Sequence, residues 1–203
     1  MTDAHVVRVW SKEEPFLGAE LVDVTVGDSG LSAQGSAIGT SPFPYHLQYD
    51  LTTVEPFVTS VLEVRTEGKD WSRRLELRRA PDGSWSFEVE SEGAPDLPVS
   101  GGNLEPVAEA LDCDLGLSPL TNSMPILRHR LHEGGGPVDF LMAWVSVPDL
   151  AVHPSRQRYT FLRREQDARI VRYESRGGDF VADLRVDDEG LVIDYPRLAR
   201  RIG

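Results

Sequence analysis

The sequence is short of cysteine, of lysine and of long apolar runs. Cys113 is the single cysteine among 203 residues, so an internal disulfide is excluded. The most apolar stretch, 138–147, is interrupted by Asp139 and is far shorter than the roughly 20 residues that a transmembrane helix needs. We therefore expect a protein without a disulfide framework and without an integral membrane segment.

Positive charge is also scarce. The chain carries 21 Lys and Arg residues against 33 Asp and Glu residues, which gives a formal net charge of −12 and a pI of about 4.8. This balance argues against nucleic acid as a partner, because phosphate backbones are bound by clustered basic residues. The start of the sequence lacks the basic residues and the apolar run of a signal peptide, so we expect a cytoplasmic location.

The overall composition is that of a globular protein. Hydrophobic residues make up 40% of the chain and charged residues 27%, and a chain of this length can bury a sizeable core without help from a metal ion. The sequence contains no break in composition, no internal repeat and no low-complexity tract. It therefore predicts a single domain over residues 1–203.

Alternating apolar and polar residues indicate β-strands. Val22, Val24 and Val26 alternate with Asp23 and Thr25, and a period of two is typical of a strand with one buried face. The same alternation recurs over residues 47–51, 85–89 and 180–186. Turn residues separate such stretches at intervals of roughly 8–15 residues, and about ten strands are too many for a flat open sheet. We predict a mainly β fold with a strongly curved antiparallel sheet.

The middle of the chain breaks this pattern and is predicted to plug the curved sheet over about 95–131. Apolar residues at helical spacing follow Asn103, a residue suited to an N-cap, and predict a helix that ends near Leu111. A second short helix is expected after Ser123, although the apolar spacing of residues 127–131 is equally compatible with a strand.

The motifs of familiar catalytic and metal sites are missing. The sequence has no nucleophile elbow, no phosphate-binding glycine loop and no zinc-ligand spacing. His129 and His132 are three residues apart, which is a weak metal signal that we interpret as surface histidines. The sequence thus predicts no metal, no cofactor and no assigned catalytic residue.

Cys113 lies between two acidic residues, Asp112 and Asp114. Neighbouring negative charge raises the pKa of a thiol, so Cys113 is interpreted as a small buried apolar residue. The two carboxyl groups could serve as an acid/base pair. The commoner outcome for adjacent acids is an exposed or turn-capping pair.

A resemblance to a known family emerges at these acidic residues. The stretch 112–126 resembles the central signature of a bacterial family of unknown function described as putative glycolipid-binding. Further pieces agree in order at 18–20, 71–74, 157–159, 172–174 and 186–196. Three residues depart from the pattern as the family usually shows it: Ala110 replaces a cysteine, Cys113 a valine and Leu127 the first of two arginines.

The resemblance implies a fold similar to that of the lipoprotein localisation carriers. In that fold about eleven antiparallel strands form a half-barrel that a few short helices fill. It also implies non-enzymatic binding of a lipid or glycolipid in an apolar groove. Polar residues in the matching motifs, which either orient a headgroup or cap the backbone of the plug, are Thr121, Asn122 and Gln157. Aromatic residues that either form the wall of the groove or belong to the sheet core are Trp71, Tyr159 and Tyr173.

Two other functional classes stay open at this point. The protein could be an enzyme that acts on a small lipid-like or sugar substrate through Asp112 and Asp114. It could also be a protein–protein interaction module, since large sheets have edges that recruit partners or pair with a second copy, and a homo-oligomer is compatible with this reading.

Overall fold

The structure is a computed structural model that describes residues 3–93, 96–175 and 180–202. Fourteen strands are found within these ranges. They are β1 (Ala4–Lys12), β2 (Gly18–Val26), β3 (Leu31–Gly39), β4 (Tyr45–Val54), β5 (Val58–Gly68), β6 (Trp71–Arg79), β7 (Trp85–Glu92), β8 (Asp112–Leu115), β9 (Val138–Val145), β10 (Val152–Arg164), β11 (Arg169–Ser175), β12 (Val181–Val186), β13 (Val192–Tyr195) and β14 (Ala199–Arg201). One α-helix, α1 (Ser123–Arg128), and two 3₁₀ turns, Glu105–Val107 and Leu120–Asn122, complete the elements.

All fourteen strands belong to one sheet. Its order is β7-β6-β5-β4-β3-β2-β1-β14-β13-β12-β11-β10-β9-β8. Every neighbouring pair is antiparallel except β8 and β9, which run parallel. The sheet therefore consists of two meanders that join where β1 pairs with β14.

The period-two pattern explains which face of the sheet is buried. In β4, Tyr45, Leu47, Tyr49 and Leu51 are buried, while the residues between them are more exposed. Strands β2 and β6 alternate in the same way. The prediction of a mainly β fold with one covered face is confirmed.

The predicted strand number was wrong: the sheet has fourteen strands rather than ten or eleven. The shortest strands, β8, β13 and β14, contain four, four and three residues. Segments of this length hold too few residues to display an alternating pattern. Their pairing partners, which the sequence does not reveal, make them strands.

The predicted plug segment forms less helix than expected. The helix expected up to Leu111 is a single 3₁₀ turn, Glu105–Val107, and the next element is β8. The helix expected after Ser123 is present as α1, so the alternative strand over residues 127–131 was wrong. The expected N-cap was wrong by one residue: Leu104 occupies that position, and Asn103 precedes it and accepts a hydrogen bond of 3.0 Å from the Glu105 N–H on its Oδ1.

Hydrogen bonds fix the segment before α1 against the first meander. The Ala110 carbonyl accepts hydrogen bonds of 3.0 Å from both Arg79 Nε and Trp85 Nε1. The Cys113 N–H donates to Thr59 Oγ1 at 2.9 Å. Strand β8 thus pairs with β9 at one edge of the sheet and also contacts β5, the third strand from the other edge.

No helix within the described ranges combines the length and apolar character needed to cross a membrane. The one α-helix there has six residues.

Candidate functional site

A cavity of about 480 Å³ lies beside the end of β8. Strands β9, β10, β11 and β13 and the turn between β1 and β2 contribute to its wall. Its volume falls in the range of small-molecule sites, which are mostly apolar with a few placed polar groups.

Aromatic side chains form much of this wall. They are Phe16, Trp144, Tyr173, Phe180 and Tyr195. Tyr173 has ring-centroid distances of 6.0 Å to Phe180 and 5.9 Å to Tyr195. Edge-to-face and tilted packing of this kind makes a preformed apolar surface. The guanidinium of Arg197 lies 4.4 Å from the centre of the Phe180 ring.

Asp114 places a carboxylate at the cavity. Its side chain is half-buried and accepts a 2.9 Å hydrogen bond from Thr121 Oγ1 on Oδ1 and a 2.6 Å bond from Gln157 Nε2 on Oδ2. The 3₁₀ turn after β8 supplies Thr121 and β10 supplies Gln157. Two elements that are distant in sequence therefore hold this carboxylate in one orientation.

The hydrogen bonds continue inward from Gln157. Tyr159 donates its O–H to Gln157 Oε1 at 3.0 Å, and Asn122 Nδ2 donates to the same tyrosine oxygen at 2.7 Å. Gln157 also donates to Ser155 Oγ at 3.1 Å. Gln157, Tyr159, Thr121 and Asn122 are all buried. A connected network in which each side chain has a partner is rigid, so it presents a fixed polar floor to the cavity.

Burial shifts the pKa values of the titratable groups at the cavity. It raises the pKa of Asp114, and the negative charge of Asp112 adds to the rise, whereas the hydrogen bonds from Gln157 and Thr121 oppose it. The pKa values of Tyr159 and Tyr195 are raised well above 10 by the same desolvation. Both phenols are therefore neutral donors and acceptors at ordinary pH.

Asp112 has a different environment from Asp114. It is almost completely buried and both of its oxygens accept hydrogen bonds from Arg128, at 2.6 and 2.5 Å. Arg128 also donates to the Phe57 carbonyl at 3.2 Å. This ion pair attaches α1 to β8, so Asp112 stabilises the position of α1 in the plug.

Cys113 is fully buried between these two acids in sequence. Desolvation raises the pKa of its thiol to about 12. This environment agrees with the expectation of a small buried residue whose thiol pKa is raised.

The structure brings five of the six predicted site residues together. Asn122 and Tyr173 line the cavity. Thr121, Gln157 and Tyr159 lie directly behind it in the Asp114 network.

Trp71, the sixth predicted residue, lies elsewhere. It is at the start of β6, where its indole covers Gly68: a Cβ on that glycine would lie 2.4 Å from Trp71 Nε1. Its position is therefore explained by packing in the first meander, away from the cavity.

Sequence reasoning missed most of the cavity wall, including its aromatic residues and histidine at Phe16, Trp144, His153, Phe180 and Tyr195. Trp144 and His153 face each other across β9 and β10, with ring centroids 5.6 Å apart. Each belongs to a different strand or turn, and only the sheet order from β2 and β1 through β14 to β8 brings them together. Tyr195 is the one that carried a signal, because it falls within the closing family motif at 186–196.

A second polar cluster, also missed, lies behind the turn that follows β8. Lys12 Nζ is 2.5 Å from Glu20 Oε2, and Glu20 Oε1 accepts hydrogen bonds from Tyr49 at 2.9 Å and Ser118 at 2.6 Å. Lys12 also donates to the Leu117 carbonyl. The cluster attaches the turn to the β1–β2 hairpin and so fixes one wall of the cavity.

Gly116 allows the close approach that this turn requires. A Cβ at this position would lie 2.9 Å from the Val145 carbonyl oxygen, a contact that real Cβ atoms avoid. Gly116 itself donates its N–H to the same carbonyl at 2.8 Å. The turn can therefore leave β8 while it stays hydrogen-bonded to β9.

The fold and the cavity define a β-sheet protein with an aromatic-walled cavity whose volume falls in the range of small-molecule sites. Residues 7–201 match the model of the family described as putative glycolipid-binding, and the chain belongs to that family. The structure is similar to the crystal structure of a DUF1089 family protein from Pseudomonas aeruginosa, with a TM-score of 0.66 and 29% sequence identity. The match covers 90% of this chain and 92% of that one. A comparison with curated proteins finds no match.

Proposed function

We propose that this protein binds a lipid or glycolipid in the 480 Å³ cavity, without catalysis. The observation that carries the proposal is the combination of an aromatic wall with a fixed polar floor at Asp114, in a member of a family described as putative glycolipid-binding. The aromatic residues suit an apolar tail, since each buried methylene contributes about 0.8 kcal/mol. The network around Asp114 suits a polar headgroup.

The half-barrel shape of the sheet is part of the same proposal. Its support is the contact between β8 and β5, which stand at position fourteen and position three of the strand order. Strands so far apart in a sheet meet when the sheet curls around the segment between them. A curled sheet would shield the cavity from water on one side.

Solvent extraction and native mass spectrometry of the purified protein test the proposal. We expect a bound amphiphile, or uptake of a fluorescent glycolipid by the emptied protein. Leu117→Trp, which adds bulk to the cavity wall, should reduce this uptake at least tenfold. Leu17→Trp, an equal substitution at an exposed position outside the cavity, is the matched control. A protein that releases no amphiphile and takes up none would contradict the proposal.

The enzyme hypothesis is less well supported by the geometry. Arg128 occupies both oxygens of Asp112, so Asp114 is the acid of the pair that faces the cavity. Activity of a small-molecule hydrolase that is lost in Asp114→Asn would favour it. The interaction-module hypothesis, a homo-oligomer and the cytoplasmic location stay predictions.

A further inference from the structure

We propose that the cavity selects its ligand by charge: it accepts an uncharged, hydroxyl-bearing headgroup such as a glycosyl group and rejects anionic headgroups, with Asp114 as the selecting residue. This inference rests on the proposed function and specifies the ligand class of the same site.

The charges around the cavity support this selectivity. Among the described residues that line it, Asp114 is the one carboxylate and none is lysine or arginine. A phosphate or carboxylate headgroup would therefore meet a like charge and find no lysine or arginine there to pair with; the one histidine of the described lining, His153, lies against the Trp144 ring. Like charges in a partly desolvated site repel strongly.

Three described cations on elements around the cavity already have partners. Lys12 is ion-paired with Glu20, and Arg128 is ion-paired with Asp112. Arg197 lies over the Phe180 ring and donates to the Val181 carbonyl at 3.1 Å. Turning any of these groups toward an anion would break a contact that the structure holds.

The hydrogen-bonding capacity of Asp114 favours hydroxyl groups. Each carboxylate oxygen accepts one bond within the protein, from Thr121 or Gln157, and an oxygen of this kind can accept two. The two bonds that Asp114 accepts oppose the rise in its pKa and favour the ionised form, which donates no proton. Its remaining capacity therefore matches ligand groups that donate, as sugar hydroxyls do. Since Thr121 and Gln157 hold the carboxylate in place, it loses little freedom when a ligand binds.

The aromatic wall is suited to the other side of such a headgroup. Tyr173, Phe180 and Tyr195 pack against one another next to Asp114 in the same cavity. A sugar ring has apolar C–H faces and polar edges. It can lie against these rings while its hydroxyl groups donate to Asp114.

Four amphiphiles that share a dodecyl tail test the inference by isothermal titration calorimetry, below their micelle concentrations. They are dodecyl maltoside, dodecanoate, dodecyl phosphate and dodecyltrimethylammonium. We expect the maltoside to bind the wild-type protein about tenfold or more tightly than either anion, the range of a charge-assisted hydrogen bond. Tighter binding of either anion, or of the quaternary ammonium, than of the maltoside would overturn the inference.

The variant Asp114→Asn removes the charge and keeps the shape. Its amide can still accept from Gln157 and donate to Thr121 Oγ1, so the network is preserved. We expect weaker maltoside binding and stronger binding of both anions, so the ratio of maltoside affinity to anion affinity should fall at least tenfold. Glu189→Gln makes the same charge change at an exposed turn and should leave the preference as in the wild type. An unchanged preference in Asp114→Asn would overturn the inference.

A second variant covers the case in which Asp114→Asn does not fold. Phe16→Lys adds a cation to the cavity wall and leaves the Asp114 network intact. We expect it to raise the affinity for dodecanoate several-fold, and no gain would contradict the inference. If none of the four amphiphiles binds the wild type, the proposed function fails. If all bind with equal affinity, the charge selection alone fails.

Discussion

Lys12 and Glu20 form an ion pair of 2.5 Å across the β1–β2 hairpin, and both side chains are almost completely buried. A buried pair of this kind is costly to break, because removing one partner leaves a desolvated charge without compensation. The pair also connects the hairpin to the turn after β8, through the Leu117 carbonyl and Ser118.

We predict that Lys12→Met lowers the free energy of unfolding by about 3–5 kcal/mol, the usual cost of an orphaned buried charge. Lys69→Met is the natural control, since Lys69 is the other lysine of the chain and is exposed. Urea unfolding followed by tryptophan fluorescence measures both. Equal midpoints for the two variants would show that the pair does not contribute to stability.

The Tyr159 hydroxyl joins Asn122 to Gln157 and therefore holds the floor of the cavity together. We predict that Tyr159→Phe destabilises the protein by about 1–3 kcal/mol, because two buried polar groups each lose a partner. The measurement is again chemical unfolding. The control variant is Phe140→Leu. The centre of the Phe140 ring lies 5.6 Å from the centre of the Tyr159 ring, and Phe140 takes no part in the hydrogen-bond network. A Tyr159→Phe variant as stable as the wild type would mean that water replaces the hydroxyl.

Asp114 makes the stability of the protein depend on pH. Its pKa is raised in the folded state, chiefly by burial, so folding favours the protonated form. The free-energy cost of ionising the buried Asp114 carboxyl is absent below the unfolded-state pKa of about 3.9. This cost develops as the pH rises from there through the raised pKa of the folded state. We predict that Asp114→Asn gains stability relative to the wild type over this window.

Unfolding curves of the wild type and Asp114→Asn at a series of pH values measure this difference. A change in hydrogen bonding caused by the substitution alters the free energy of unfolding by the same amount at every pH. The informative quantity is therefore the slope with pH of the difference in free energy of unfolding between the two proteins. A difference that is constant from low to neutral pH would show that Asp114 titrates alike in the folded and unfolded states.

Cys113 should be unreactive in the folded protein. Its thiol is fully buried and desolvation raises its pKa to about 12, so thiolate is scarce at neutral pH. We predict that a thiol reagent such as Ellman's reagent gives no fast phase with native protein and one equivalent after denaturation. Fast labelling of the native protein would place the thiol at the surface.

The sequence predicted the covered face of the sheet because long strands repeat their pattern several times. Leu47, Tyr49 and Leu51 all lie on the predicted buried side. The parallel pairing of β8 with β9 could not be foreseen, because a four-residue strand carries no sign of its partner or direction. The predicted helix up to Leu111 failed for a related reason: its backbone is drawn into contacts with Arg79, Trp85 and Thr59.

The candidate site was predicted as separate residues and not as an assembly. Thr121, Gln157 and Tyr159 were selected for the motifs in which they stand, and the structure joins them through hydrogen bonds to Asp114 or to one another. Asp112 and Asp114 look equivalent in sequence, yet Asp112 is ion-paired with Arg128 whereas Asp114 lines the cavity. That distinction depends on where α1 docks, which local sequence does not determine.

The seam between the two meanders constrains how the chain folds. Strand β1 has its second neighbour in β14, and only three residue pairs join them. During synthesis β1 therefore remains an exposed sheet edge until nearly the whole described chain has been made. An open edge of this kind can pair with other chains, and contacts of such long sequence separation form slowly. The last strand of the described chain thus completes the sheet at its middle rather than at its rim.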